Sequence, residues 1–191
     1  MRVGLFIFLS IFVLIIVWGI WVRNNIVRYL NASQRAWSDV ANFERQKIKT
    51  LEHLEQNLSQ YTEFEKSTLE NITALRQQIL NLNTQSTDVA QLQHIEALSQ
   101  SLMKSLNVVV ENYPDLKADQ LYNQMMHDIQ EQNENVSAAI SIFNRNVEEF
   151  NNLIQVFPNN LINSISLAKK PIRPFTDHQA QQNFDYRPNF K

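Results

Sequence analysis

The sequence Tyr122–Phe157, YNQMMHDIQEQNENVSAAISIFNRNVEEFNNLIQVF, carries the strongest periodic signal in the chain. Its residues Tyr122, Met126, Ile129, Asn133, Val136, Ile140, Phe143, Val147, Phe150, Ile154 and Phe157 follow one another in alternating steps of four and three. On a helix such steps line up along one face and form a heptad packing seam. A seam of that length must be covered by other helices. Asn133 is its one polar member. It is either a solvated gap in the seam or an amide that pairs across the core and fixes register. Pro158 ends the helix.

Earlier in the chain the period continues. Ile26, Leu30, Trp37, Val40, Phe43, Ile48, Leu51, Leu54, Leu58 and Tyr61 predict a first helix, with a shift of register near Phe43–Ile48. Tyr61, Phe64, Thr68, Ile72, Leu75, Ile79 and Leu82 predict a second. The polar run Asn81–Asp88 is a turn, and Asp88 with Gln91 has the form of a helix start. Leu92, Ile95, Ser99, Leu102, Leu106, Val109 and Tyr113 predict a third helix, stopped by Pro114 and followed by Asp115 as a cap for the next. A short apolar piece, Leu161–Leu167, follows the fourth helix. Two glycines in 191 residues leave little material for sheet turns. The expected class is all-α: an antiparallel four-helix bundle over residues 24–168.

The bundle follows an apolar stretch, Val3–Val22, VGLFIFLSIFVLIIVWGIWV, which has no charged residue. Twenty helical residues rise ~30 Å, the thickness of a bilayer core. Trp18, Trp21, Arg23 and Asn24 stand where a signal-peptide cleavage site would need small residues, so residues 1–23 are read as an uncleaved transmembrane anchor. Little of the chain then lies beyond the membrane. The first soluble helix continues out of the anchor and the fourth returns toward it. The turn at Phe157–Asn159 and the irregular tail 169–191 are therefore expected near the bilayer.

Charge is segregated. Residues 1–35 hold four arginines and no acid, residues 36–168 eight basic and seventeen acidic residues, and residues 169–191 five basic and two acidic. Arg23, Arg28, Arg35, Lys169, Lys170 and Arg173, with Arg187 and Lys191 further along, are candidate contacts for lipid headgroups. An acidic body is a poor surface for nucleic acid. By the positive-inside rule the bundle faces the cytoplasm.

No constellation for catalysis emerges. With no cysteine there is no thiolate ligand or nucleophile. His53, His94, His127 and His178 fall on four segments. His127 and Glu131 are one turn apart on a polar face and read as surface. The paired Glu-x-x-His motifs of a di-iron bundle are missing. No metal site, cofactor, small-molecule substrate or enzymatic activity is expected. The corner Tyr113-Pro114-Asp115 is read either as a demanding helix–helix turn or as a recognition tip for a partner.

Glu111–Ala118, ENYPDLKA, resembles the motif E-N-Y-P-D-L-K-A of the LemA family of bacterial membrane-anchored helical proteins. Ala36–Val40, AWSDV, is similar to that family's A-W-S-x-I, and Phe143-Asn144, Val147, Phe150-Asn151 and Phe157-Pro158-Asn159 resemble its Y-N-x-x-V-x-x-Y-N and F-P-S-N. The likeness covers roughly residues 3–175. One segment departs: Glu52 stands where the family has proline, which predicts a less kinked first helix. The resemblance implies a bacterial inner-membrane, single-pass protein with a four-helix domain and no activity to transfer. It points to a scaffold for a protein partner or for homo-oligomers, with membrane remodelling or service to a membrane protease as alternatives.

Overall fold

A computed structural model describes residues 2–59 and 66–176. Among these residues the regular structure is entirely helical: α1 (Arg2–Leu58), α2 (Lys66–Asn81), α3 (Val89–Asn112), α4 (Pro114–Ala118), α5 (Gln120–Gln155) and α6 (Asn159–Ser166). The all-α class is as expected. Tyr61 and Phe64, expected on the second helix, lie outside the described residues, as do His178, Arg187 and Lys191 in the tail. The chain forms two compact units, each built from two separated stretches: Met1–Ala36 with Ser141–Pro174, and Trp37–Ile140 with Phe175–Lys191.

In the unit containing Trp37–Ile140, hydrogen bonds tie α1 to α2 in antiparallel order. The buried Trp37 indole donates from Nε1 to the Asn83 carbonyl at 2.9 Å, and Arg45 donates to the Leu82 carbonyl at 3.0 Å. Toward the other end of α1, Glu55 accepts from Arg76 at 2.6 Å and from Thr73 at 3.0 Å. Glu52 adds a longer pair with Arg76, at 3.5 Å, and α1 runs through this position as one helix. The turn after α2 is held by Asn83 Oδ1, which accepts from the backbone N–H groups of Gln85 and Ser86. Asp88 caps α3 as expected, accepting from the Gln91 N–H at 2.9 Å. Leu51, Leu54, Ile72, Leu75, Ile79, Leu92, Ile95, Leu102, Leu106, Ile129 and Val136 are buried here. Each contributes roughly 1.5–3 kcal/mol of transfer free energy.

The cap after Pro114 falls on a different aspartate from the one expected. Asp115 lies in the first turn of the short α4, where its charge faces the positive helix end. Asp119 caps α5 instead, accepting from the N–H groups of Leu121 and Tyr122. The five-residue α4 separates the proline from the start of α5, so the capping position moves four residues on.

In the unit formed by Met1–Ala36 and Ser141–Pro174, Val22 and Ile26 of α1 pack with Phe150 and Ile154 of α5. Trp18, Leu30, Leu153, Ile162, Leu167 and Ile172 surround them. The return of the fourth helix to the end of the apolar segment is thus real within this unit. Phe157 departs from the expected seam. It is 74% exposed because α5 ends at Gln155, two residues short of it. Met125 replaces Met126 as the buried methionine at the start of α5.

The first part of the tail has no regular secondary structure, as expected, yet it is fixed by two asparagine clamps. Asn163 accepts from the Lys169 N–H at 3.0 Å and donates to the Lys169 carbonyl at 2.9 Å. Asn151 does the same to Ile172, at 2.9 and 2.8 Å. Ala168 turns the chain from α6 into this strap with φ of 47°, a left-handed helix end more often given to glycine.

Two outcomes test this packing. Asn151→Ala removes both bonds to Ile172, and amide exchange at Ile172 should quicken by roughly tenfold or more, since each such bond is worth about 1 kcal/mol. Burial pushes the Tyr122 phenol up from 10.0 to about 12. The folded state thus holds a proton that the unfolded chain releases above pH 10. The stabilisation is complete below pH 10 and is lost as pH rises toward 12, by roughly 2 kcal/mol. Tyr122→Phe should flatten that part of the unfolding free energy measured against pH.

Candidate functional site

The side chains packed along α1 revise the register read from apolar residues alone. Ile26, Leu30, Ser33, Trp37, Val40, Glu44, Lys47, Leu51, Leu54 and Leu58 run in unbroken steps of four and three, and all but the half-buried Leu30 are buried. There is no shift at Phe43–Ile48. Those two residues are half-buried flanks, and Glu44 and Lys47 hold the seam positions. Counting charged residues as seam members would have revealed this from the sequence.

Glu44 and Lys47 are both fully buried, with Lys47 Nζ 2.8 Å from Glu44 Oε2. The ammonium also donates to Asn133 Oδ1 at 3.0 Å, and the Ser99 hydroxyl donates to the same oxygen at 3.4 Å. A polar layer therefore joins α1, α3 and α5. Asn133 takes the second of its two readings: its amide pairs across the core. The layer is incompletely satisfied, since neither Glu44 oxygen receives an aligned hydrogen bond. Buried this deeply, the pair has no path to a substrate in solution. It can fix register, because sliding one helix by a turn would bury an unpaired charge.

The corner read as an interaction tip is also placed. Tyr113 ends α3, its N–H bonding the Val109 carbonyl at 3.0 Å, and is half-buried. Pro114 and Asp115 are exposed at the start of α4, and Leu116 is buried beneath them. The motif combines a helix stop, a helix start and one apolar peg.

The candidate headgroup contacts Arg23, Arg28, Arg35, Lys169, Lys170 and Arg173 all belong to the unit that carries the apolar segment, and all six are exposed. Arg28 lies over the Tyr29 ring, 5.3 Å from its centre. A groove of about 460 Å³ runs beside it, lined by Trp21, Asn25, Arg28, Glu149, Asn152 and Asn159 among others. Among the described residues no three His, Asp or Glu side chains gather as a metal site.

Fold and sites together define an all-α chain in which, among the described residues, one N-terminal helix is long and apolar enough to cross a membrane, compatible with an anchor. The sequence pattern of the LemA family matches residues 36–186, and the chain belongs to that family. A protein from Metamycoplasma hominis named Protein LemA is 31% identical over 140 residues, covering 73% of this chain. The match spans 63% of that relative's length.

Removing one member of the polar layer should be worse than removing two. Lys47→Met strands the Glu44 carboxylate and should cost roughly 3–5 kcal/mol. Glu44→Leu combined with Lys47→Met should cost less than Lys47→Met alone, or raise stability. Denaturant unfolding followed by helical circular dichroism measures both. Strict additivity of the two substitutions would show that the charges are not coupled.

Proposed function

We propose that this protein is a single-pass, membrane-anchored scaffold that acts by binding rather than by catalysis. The anchor holds a helical domain at a bacterial inner membrane, on its cytoplasmic side, where it gathers a protein partner or further copies of itself. The observation that carries this reading is the continuity of α1. One 57-residue helix includes the exposed apolar segment Val3–Val22 and, without a break, the buried seam that ends at Leu58. A binding surface on the domain is thereby joined to the membrane segment through one helix, with no linker between. The cytoplasmic side follows from Arg23, Arg28 and Arg35 after the apolar stretch.

The six exposed basic residues around the apolar segment support a second reading, in which the protein organises the lipid itself. Service to a membrane protease is compatible with the scaffold and would be one case of it.

A photo-crosslinker placed at Tyr113 or Asp115 of the full chain, at native abundance, distinguishes these readings. The scaffold predicts discrete protein adducts, and substitutions at the corner should abolish them. Only solitary chains, with binding to anionic vesicles that salt removes, would transfer the case to the lipid reading.

A further inference from the structure

The short α6 presents two faces. Asn163 is buried and clamps the strap at Lys169, while Ile162 reaches back to α1, its Cδ1 3.6 Å from where a Cβ would stand on Gly19. At that distance α6 is in ordinary van der Waals reach of α1. The opposite face is apolar and uncovered. Leu161 is 51% exposed and Ile165 85%, one turn apart, and Val156 and Phe157, just before the helix begins, are exposed as well.

Large side chains held in water at such exposure need an explanation when they cluster. Their place in the unit supplies one. Gly19 lies three residues inside the end of the apolar segment, ~4.5 Å along the helix from Val22. Trp18 and Trp21, residues of the type that sits at headgroup level, flank it. Through Ile162, α6 is thus held level with the last turn of the apolar segment. Directly after α6 the clamped strap presents Lys169, Lys170 and Arg173, all exposed. Apolar residues on one face, cations beside them and a position level with the last turn of an apolar helix are the features of an interfacial helix.

We propose that α6 is a second membrane contact: Phe157, Leu161 and Ile165 enter the leaflet on the side of the helical domain, with the basic strap resting among its headgroups. The occupant of the exposed face is lipid. This rests on the reading of Val3–Val22 as membrane-embedded. Two contacts separated along the chain would restrain the base of the domain against swivelling about a single helix.

The chain has no cysteine, so single cysteines can carry nitroxide labels without competition. The full chain is reconstituted in vesicles of phosphatidylcholine and phosphatidylglycerol. Labels go at Ile11→Cys in the apolar segment, at Leu161→Cys and Ile165→Cys on α6, and at the exposed Glu131→Cys on α5. Relaxation by oxygen, which enters lipid, is compared with relaxation by a water-soluble nickel chelate. Labels at 161 and 165 should favour oxygen several-fold over the label at 131, at a depth of ~5–10 Å, with the label at 11 deeper still. Water-like behaviour at 161 and 165 while 11 reports lipid would overturn the proposal and leave the anchor standing. Water-like behaviour at 11 would remove the anchor reading and the proposal with it. Shielding of 161 and 165 from both reagents would also overturn it. If spin–spin broadening then disappears on dilution with unlabelled chain, a second copy covers the face.

Discussion

One geometric constraint runs through this protein: the heptad seam of α1. Every third or fourth residue from Ile26 to Leu58 must find cover, and the helices that supply it are placed accordingly. In one unit Phe150 and Ile154 of α5 close over Val22 and Ile26. In the other, α2 is drawn against α1 by Trp37, Arg45 and Glu55, each bonded to α2 or to the turn that follows it. The same seam accepts Glu44 and Lys47, although a buried ion pair generally adds little to stability over apolar residues of equal volume. Their physical value lies in discrimination. Amphipathic helices with similar seams can pack in several registers, and a buried charge pair that meets Asn133 in one of them penalises the rest.

A second device is the repeated use of asparagine to hold irregular chain. Asn151 and Asn163 each offer a donor and an acceptor in the spacing of a peptide group, and each occupies both polar groups of one backbone residue. A segment with two prolines between Lys169 and Thr176 has little means of forming helix or ladder, so side-chain amides take over the task. The Phe-Asn pairs of α5 acquire meaning from this. Phe150 fills the core and Asn151, its neighbour in sequence, secures the strap.

The asparagine clamps concentrate order around the end of the apolar segment, in the unit that carries it. A protein that needs only a tether can hang from a flexible linker. Here α1 continues unbroken past the apolar segment, Phe150 and Ile154 of α5 pack on Val22 and Ile26, and the strap is bonded to Asn151 of α5.

The sequence determined the helical class, the apolar segment, the α3 cap at Asp88, the breaks at Pro114 and Pro158, and the family, through ENYPDLKA. Each of these rests on short-range physics: a period of 3.6, a missing N–H, a side chain reaching three residues on. Other features escaped it. Tracking apolar residues alone hid Glu44 and Lys47, because a charge is admitted to a seam only when a partner on another helix meets it. Asp119 and not Asp115 caps α5, because the existence of α4 depends on burying Leu116. The tail was read as irregular without its clamps, since Asn151 and Ile172 are twenty-one residues apart and meet only when α5 and α6 fold together. Tertiary structure decided these points, for a buried polar group is settled by what stands opposite it in space, and no local pattern encodes that neighbour.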